Sequence, residues 1–332
     1  LSTSETTPFN VQVFRGTNTT AIATITGLAK GAAKTYNLAN GDNNITLVNN
    51  ANTGVVLSNS GLRFESPSGK KFYVNYRGRS GAQAGSLTSK GTKALGRDFR
   101  WGGIPNRATN SNLTTSLGMM ATEDGTIVQV FGYDTDSQFR FGGGVVNPLN
   151  FTVVGGYITD NALTITLNKG ETFVLEAPKN RTTANINGWL GASITSNKDI
   201  AISNGGLNVG IRTGSQSRDV GIDQPVPTNV LGREYVFVRG NGANEAEFPI
   251  IVGTQNGTDI YAGGVYLTTI NNGDYYEIPG SRYSSTTAGA NMFVTTSKDA
   301  YAYQCLQGAP GKIQTIGMNF IAPVNCLLPD LL

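Results

Sequence analysis

The segment TSNKDIAIS at residues 195–203 returns at residues 295–303 as TTSKDAYAY, and this repeat governs the prediction of the fold. The segments upstream of the two copies also match, because NKGETFVLEAP at 168–178 corresponds to NNGDYYEIPG at 271–280. A weaker third copy, SPSGKKFYV, lies at 66–74. Elements that recur in a fixed order are typical of proteins built from duplicated units.

Turn dipeptides between short apolar runs predict β-hairpins along the chain. Asp-Gly separates two such runs in ATEDGTIVQVFG at 121–132, and Asn-Gly does so in GTQNGTDIYAG at 253–263. Glycine and asparagine supply the positive φ that tight hairpin turns need. Glycine accounts for 43 of the 332 residues, and apolar residues mostly alternate instead of following a helical spacing. The sequence therefore predicts an all-β fold of antiparallel sheets.

The number of strands favours one particular architecture. We expect a single all-β domain over residues 1–332, whether complete or part of a larger one, with internal units at roughly 6–103, 104–240 and 241–324. About eight strands fall within residues 231–323, enough for two four-stranded blades. Three such units favour a six-bladed β-propeller, and a row of tandem β-sandwiches is the alternative.

The composition removes several classes of function. The chain contains no histidine, which excludes Ser-His-Asp triads, Cys-His nucleophiles and His-ligated zinc. The net charge is only +3 and no nucleic-acid-binding motif is present, so no nucleic-acid partner is expected. The apolar runs are too short to span a bilayer, so no membrane insertion is expected, and no cofactor is predicted. Residues 1–9 lack the pattern of a signal peptide, so the leader of an exported protein would have been removed or would lie outside this chain.

The strongest candidate for binding is a basic segment between Lys70 and Arg107, which holds nine basic residues and one acid, Asp98. Its core, RGRSGAQAGSLTSKG at 77–91, is rich in glycine, serine and arginine. Such a segment presents guanidinium forks and backbone N–H groups to anions, including acidic or sulfated sugars, phosphates and carboxylates. The alternative is that these cations brace loops. The residues assigned to binding are Arg77, Arg79, Lys90, Lys93, Arg97 and Arg100.

Trp189 and the two cysteines are further candidates. Trp189 stands in the loop sequence INGWLG, and we assign it to binding as an exposed aromatic ring on which a sugar can stack. Cys305 and Cys326 are too few for a disulfide framework or a four-cysteine zinc site. They form either one disulfide or two buried thiols.

Pairs of carboxylates leave an enzymatic alternative open. Asp134 and Asp136 resemble the start of a calcium loop, although the glycine and glutamate that complete such a loop are missing. A glycosidase needs two carboxyl groups that face each other across a sugar. The close pairs in the sequence are Glu123 with Asp124, Asp134 with Asp136, and Asp219 with Asp223. Nothing in the sequence indicates that these pairs meet in space, and Asp124 stands at a hairpin turn where aspartate is usual, so we do not expect an enzyme.

Seven segments together resemble one known family. The chain is similar to the IgGFc-binding-type domain, above all to its version in large surface proteins of gliding, flavobacterial-type Bacteroidota. The similarity extends over essentially the whole chain. It is carried by RSGAQAGSLTSKG (79–91), MATEDGTIVQVFGYD (120–134), LNKGETFVLEA (167–177), DVGIDQPVP (219–227), LGREYVFVRGNG (231–242), SKDAYAYQC (297–305) and NFIAPVNCLLPD (319–330).

The resemblance implies a secreted cell-surface protein of the kind that acts in adhesion or in gliding motility. In that family the domain often precedes adhesion repeats and a sorting region for the type IX secretion system, so that machinery is an implied partner. The ligand would be a surface glycan or a partner protein. A polysaccharide hydrolase or lyase and a stalk or secretion cargo without a specific ligand remain as alternatives. The chain has only two cysteines, unlike the Cys-rich animal relatives, so immunoglobulin binding is not implied.

Overall fold

A computed structural model of the protein describes residues 1–144, 147–307 and 316–324. Its sheets are antiparallel, which confirms the predicted all-β class. The helical turns within these residues are 3-10 helices of three or four residues, at Asn50–Asn52, Gly91–Ala94, Thr183–Ile186, Thr228–Val230 and Gly280–Arg282.

Residues 1–90 form an N-terminal region with its own small core. A three-stranded sheet has the order β2-β1-β4, while β5 and β6 form a separate two-stranded hairpin. Apolar residues alternate along β1, so that Phe9, Val11 and Val13 lie on one buried face and pack with Leu28. The strands are β1 (Phe9–Arg15), β2 (Ala23–Leu28), β3 (Val56–Leu57), β4 (Leu62–Glu65), β5 (Asn75–Ser80) and β6 (Gln83–Thr88).

The first sheet unit follows, over residues 96–223. Its strands are β7 (Gly96–Arg100), β8 (Thr114–Ala121), β9 (Thr126–Phe131), β10 (Phe139–Arg140), β11 (Val153–Val154), β12 (Tyr157–Ile158), β13 (Ala162–Leu167), β14 (Thr172–Pro178), β15 (Ser193–Val209) and β16 (Asp219–Asp223). The main sheet has the order β13-β9-β15-β8-β14-β3, and β7 and β16 also pair with β15. A small separate sheet has the order β10-β12-β11.

The long strand β15 explains the shape of this sheet. Its first half pairs with β7 and β9, whereas its second half pairs with β8 and β16. The register with β7 shifts between Thr195 and Ile200, where the strand changes neighbours. Residues from both sets of strands, such as Val130 of β9 and Leu175 of β14, belong to one buried core. The sheet therefore folds around a single core in the manner of a half-barrel.

The second sheet unit, over residues 232–320, repeats this plan. Its main order is β20-β19-β22-β18-β21, and β17 and β23 also pair with β22. The first half of β22 pairs with β17 and β19, and its second half with β18 and β23. The strands are β17 (Gly232–Val238), β18 (Glu247–Gly253), β19 (Thr258–Ala262), β20 (Val265–Ile270), β21 (Tyr275–Glu277), β22 (Asn291–Gln307) and β23 (Ile316–Phe320).

The correspondence between the units extends to individual side chains. An ion pair joins Arg97 to Asp199 in the first unit, and another joins Arg233 to Asp299 in the second, each with an N–O distance of 2.8 Å. The hairpin turns are held by the same bonds, because Asn168 Oδ1 accepts from Gly125 N–H and Asn271 Oδ1 accepts from Gly257 N–H, both at 3.2 Å. The sequence repeat thus reflects duplicated structure.

The architecture confirms the all-β class but not every detail of the predicted arrangement. The described strands form two large, folded sheets and three small ones instead of six four-stranded blades. The six-bladed propeller is therefore not confirmed, because each long strand bends to close its sheet on its own core; sandwich-like units remain compatible with the structure. The segments at 195–203 and 295–303 occupy equivalent places in β15 and β22. The segment at 66–74 forms only an isolated bridge, so it is not a third equivalent copy.

The two sheet units pack against each other through an apolar cluster that is separate from the core of each unit. The outer face of the second unit contributes Phe248, Ile250 and Tyr301, and the first unit contributes Ile104 and Val209. All seven residues of β18 are buried, because one face lies on its own core and the other on the neighbouring unit. This continuous packing fixes the relative positions of the segments that carry the candidate binding residues.

Candidate functional site

The hairpin of β5 and β6 brings two of the predicted binding residues together. Side chains alternate along the hairpin, and Arg77 and Arg79 lie on the same exposed face of β5. Arg77 stands opposite Ser86 and Arg79 opposite Ala84 on the neighbouring strand. The register therefore places two guanidinium groups side by side above a surface of small residues.

The opposite face of the hairpin rests on the first sheet unit. Gly85 fits closely there, since a Cβ atom at this position would lie 2.5 Å from Cγ1 of Val220. The backbone N–H of Ala84 donates to Oδ1 of Asp219 at 2.6 Å. Buried Asp219 also accepts from the N–H of Val220, which fixes its carboxylate. The hairpin is thus anchored on one face and exposed on the other.

An open cavity of about 460 Å³ covers the exposed face of this hairpin. We call it the arginine groove. Its lining contains two cations, and its remaining side chains are uncharged. The residues that line it are Asn40, Asn75, Arg77, Gly78, Arg79, Ala84, Gly85 and Ser86.

Each arginine of the groove is held by a neutral group. Arg77 Nε donates to Oδ1 of Asn75 at 3.2 Å, and Arg79 Nε donates to the carbonyl oxygen of Gly81 at 3.0 Å. Within the described parts of the chain, neither guanidinium forms an ion pair with a carboxylate. Both side chains line the groove, and their Nε–H groups, not their Nη groups, form these two bonds. This arrangement suits the binding of an oxyanion.

The other predicted cations do not join the groove. Lys90 Nζ donates to Oδ1 of Asp223 at 2.7 Å, and Arg97 pairs with Asp199. Lys93 is exposed on the 3-10 helix at Gly91–Ala94 and does not line the cavity. Lys90 and Arg97 are paired with carboxylates, which favours the alternative that these cations stabilise loops. Lys93 lies outside the groove.

Arg100 is buried, which corrects its assignment to a binding surface. It is only 7% exposed, because it lies where the first sheet unit meets the second. Its Nη1 donates to Oδ1 of Asp98 at 2.7 Å, and its Nε donates to Oδ1 of Asn272 at 3.0 Å. Arg107, also in the basic segment, donates to both carboxylate oxygens of Glu277 across the same boundary. These two arginines hold the units together.

Trp189 is also buried, so the prediction of an exposed aromatic ring is wrong. Its ring stacks on Trp101 with a centroid separation of 3.9 Å and an interplanar angle of 20°. Its Nε1–H donates to Oγ1 of Thr115 at 2.9 Å. The loop that contains Trp189 therefore places the ring in the core. There, stacking on Trp101 and the hydrogen bond of the indole N–H to Thr115 offset the cost of burying a polar group.

The calcium candidates, Asp134 and Asp136, lie together in a turn. Asp134 and Asp136 are exposed, and Oδ1 of Asp134 accepts from the N–H of Asp136 at 2.9 Å, as in an Asx turn. Among the residues that the structure describes, no group of three His, Cys, Asp or Glu side chains could hold a metal ion. Turn formation accounts for this pair.

The pair Asp219 and Asp223 lies on one strand, β16, and both carboxylates are buried. Asp223 accepts from Lys90 Nζ and, through Oδ2, from the backbone N–H of Phe320 at 2.8 Å. These bonds tie β16 to the hairpin and to β23. The two carboxylates act as anchors in this arrangement and do not face each other across a pocket.

Cys305 lies fully buried in β22. Its suggested partner, Cys326, is outside the described residues, so the disulfide stays a prediction. Burial raises the pKa of the Cys305 thiol far above its ordinary value. The thiolate form is therefore suppressed in the folded protein.

Sequence reasoning missed three neutral residues of the groove. Asn75 shares the exposed face of β5 with the predicted arginines, and Ser86 stands opposite Arg77, so the strand periodicity of the hairpin is a usable signal. Asn40 reaches the groove from a segment without regular secondary structure, and no local pattern marks it.

No helix within the described residues is long and apolar enough to cross a membrane.

Comparison with known families identifies one match. The family model described as IgGFc binding protein matches residues 84–331, which is most of the chain. The match begins within β6, so Arg77 and Arg79 precede it. Comparisons with curated proteins and with solved structures give no match.

Proposed function

The chain belongs to the IgGFc-binding protein family, and from that premise we propose that it is an adhesion module of a cell-surface protein. Domains of this family are typically extracellular, and membership marks the chain as a binding module. Its partner in this proposal is a surface glycan or a surface protein. The absence of histidine fits a role in binding better than acid–base catalysis at neutral pH.

The observation that carries the proposal is the arginine groove. It combines an open surface cavity with two cations that no described carboxylate neutralises. Other basic residues of the same segment form ion pairs with carboxylates, namely Lys90, Arg97, Arg100 and Arg107. Cations left free on an anchored hairpin attract a partner of opposite charge.

The resemblance to surface proteins of gliding Bacteroidota supports a finer version of the proposal. In that version the module acts in gliding motility and reaches the cell surface through the type IX secretion machinery. We propose a non-enzymatic role, because Asp219 and Asp223 are occupied as structural anchors.

The test is binding by the whole chain to an array of glycans and to purified surface proteins. We expect binding to at least one immobilised partner that is lost when Arg77 and Arg79 are both replaced by alanine. Arg97→Ala is the matched control, because Arg97 is exposed in the same basic segment but lies outside the groove. Failure of the chain to bind any glycan, protein or cell surface would instead favour a stalk or a secretion cargo. Release of shortened sugars would favour the hydrolase or lyase.

A further inference from the structure

We propose that the arginine groove binds a linear acidic polysaccharide, with Arg77 and Arg79 each receiving a carboxylate or sulfate group of the same chain. This inference rests on the proposed function and names the class of its ligand. It depends on three features of the groove, which are its uncompensated charge, the orientation of its arginines and its neutral lining.

The two cations of the groove have no carboxylate partner among the described residues, whereas several other cations of the same segment do. Lys90 and Arg107 each have a carboxylate oxygen within 2.8 Å of a side-chain nitrogen. Arg77 and Arg79 have only the amide oxygen of Asn75 and the carbonyl oxygen of Gly81. Two adjacent cations without a counter-charge repel each other, and an anion bound between or above them relieves that repulsion.

The orientation of the two arginines suits oxyanions. In both residues the Nε–H is used for the internal bond, which fixes the plane of the guanidinium group and leaves the Nη groups for a ligand. A planar guanidinium presents parallel N–H donors that match the two oxygens of a carboxylate or sulfate. Such pre-orientation lowers the entropy lost on binding.

The spacing of the arginines favours a polymer with repeated charges. Residues two apart in a strand lie on the same face at a separation of about 6.6–6.8 Å. A single small anion satisfies one guanidinium fork fully, whereas a chain with a charge on successive sugar units can satisfy both. The open shape of the groove leaves room for such a chain to continue past the hairpin.

The neutral lining favours a sugar over a nucleic acid. Asn40, Asn75 and Ser86 offer amide and hydroxyl groups that can bond to sugar hydroxyls. No aromatic ring is among the lining residues, so bases would find no stacking platform. Tyr76, the aromatic residue of β5, lies on the opposite face, where it covers Gly78.

The experiment measures binding of the full chain to three soluble polymers by biolayer interferometry. Polygalacturonate supplies carboxylates, dextran sulfate supplies sulfates, and unmodified dextran supplies neither. We expect binding to one or both charged polymers and none to dextran. Arg77→Ala and Arg79→Ala should each weaken binding roughly ten-fold or more, because charge-assisted bonds are lost. Arg97→Ala should leave the affinity within about two-fold, because that side chain is already paired and outside the groove.

The lysine variants distinguish recognition by the parallel N–H donors of a guanidinium group from simple electrostatic attraction. Arg77→Lys and Arg79→Lys keep the charge but remove the parallel donors, so they should weaken binding nearly as much as alanine. Unchanged affinity in the lysine variants would overturn the fork geometry. Equal effects of Arg97→Ala and Arg77→Ala would overturn the groove as the site.

Two other results would overturn the inference without removing the proposed function. The first is binding to neutral glycans that Arg77→Ala abolishes, which would show that the groove recognises sugars without acidic groups. The second is binding to an acidic protein or to polyphosphate with no binding to either charged polysaccharide. Preference between polygalacturonate and dextran sulfate would identify the anionic group. Failure to bind any partner would count against both proposals.

Discussion

The side-chain amide of Asn204 in β15 donates through Nδ2 to the hydroxyl oxygen of Tyr303 in β22 at 3.0 Å. The bond joins the central strands of the two sheet units, and both residues are buried. The Tyr303 ring also lies against Gly102, where a Cβ atom would approach it to 2.1 Å. The duplicated units are therefore held together by a specific polar contact inside an apolar boundary.

Replacing Tyr303 by phenylalanine should destabilise the protein. The variant keeps the ring but leaves Nδ2 of Asn204 buried without its partner, which costs about 1–3 kcal/mol. Urea denaturation followed by circular dichroism measures the change in the free energy of unfolding. Tyr266→Phe is the control, because that hydroxyl is exposed and its loss should cost no more than about 0.5 kcal/mol. Equal effects of the two variants would contradict the role of the Asn204 bond.

Replacing Gly191 by alanine should disrupt the boundary between the units. Gly191 has a φ of +84°, and a Cβ atom there would lie 1.8 Å from the carbonyl oxygen of Gly273 in the neighbouring unit. Backbone strain and overpacking together should lower the free energy of unfolding by on the order of 3 kcal/mol. Gly289→Ala provides a matched control, because its φ is +85° but no atom lies within 4 Å of the added Cβ.

Gly289→Ala should therefore cost only the backbone strain, about 1 kcal/mol. Thermal unfolding of both variants separates the two contributions. If Gly191→Ala were no more harmful than Gly289→Ala, the close approach of the two backbones would not matter for stability.

Stability should decrease with rising pH in part because of Glu247. Burial raises the pKa of its carboxyl above the ordinary value of 4.5, although the backbone N–H groups of Gly240 and Gly242 donate to it. Between the unfolded and folded pKa values the native state binds more protons than the unfolded state, so the free energy of unfolding falls as the pH rises. The contribution is complete below pH 4.5 and is lost as the pH passes the folded pKa.

Glu247→Gln should flatten this part of the profile. The measurement is the midpoint of urea unfolding at several pH values from 4 to 7, with Glu245→Gln as the control on an exposed neighbour. Glu176, whose pKa is also raised by burial, should leave a residual slope of the same sign in the variant. An identical slope in the wild type and in Glu247→Gln would refute the assignment.

Cys305 should resist alkylation in the folded, reduced protein. Its burial suppresses the thiolate, which is the reactive form. Iodoacetamide at pH 8 should label Cys305 only after denaturant is added, as read by peptide mass spectrometry. The same experiment without reductant tests the predicted disulfide with Cys326. Rapid labelling of Cys305 in the reduced native protein would contradict its buried position.

Much of the fold could be predicted because its signals are local. The turn at Gly125 and its counterpart at Gly257 are visible in the sequence as Asp-Gly and Asn-Gly, and both glycines have positive φ in the structure. The repeat at 195–203 and 295–303 likewise corresponds to equivalent parts of β15 and β22. The arrangement of the sheets is harder to predict. The long strand β15 pairs with four neighbouring strands, but its sequence has the same alternation of side chains as a strand in a flat propeller blade.

The candidate site was only partly predictable. Arg77 and Arg79 form the groove as the basic segment suggested, whereas Trp189 was misplaced because its stacking partner, Trp101, is distant in sequence. A tryptophan between glycines has the local features of an exposed loop. Only the packing of the two rings shows that this loop turns inward.

The sequence by itself determined the strands, the turns and the duplication, because alternation of side chains and the conformational freedom of glycine act within a few residues. Only the tertiary structure decided which cations are free. Lys90 is paired with Asp223 at a separation of 133 positions, and Arg97 with Asp199 at 102. Arg77 and Arg79 stand on a hairpin face that no such carboxylate reaches among the described residues. The sequence determines which side chains carry a charge. Whether a carboxylate neutralises a given cation depends on which distant side chains the fold brings together.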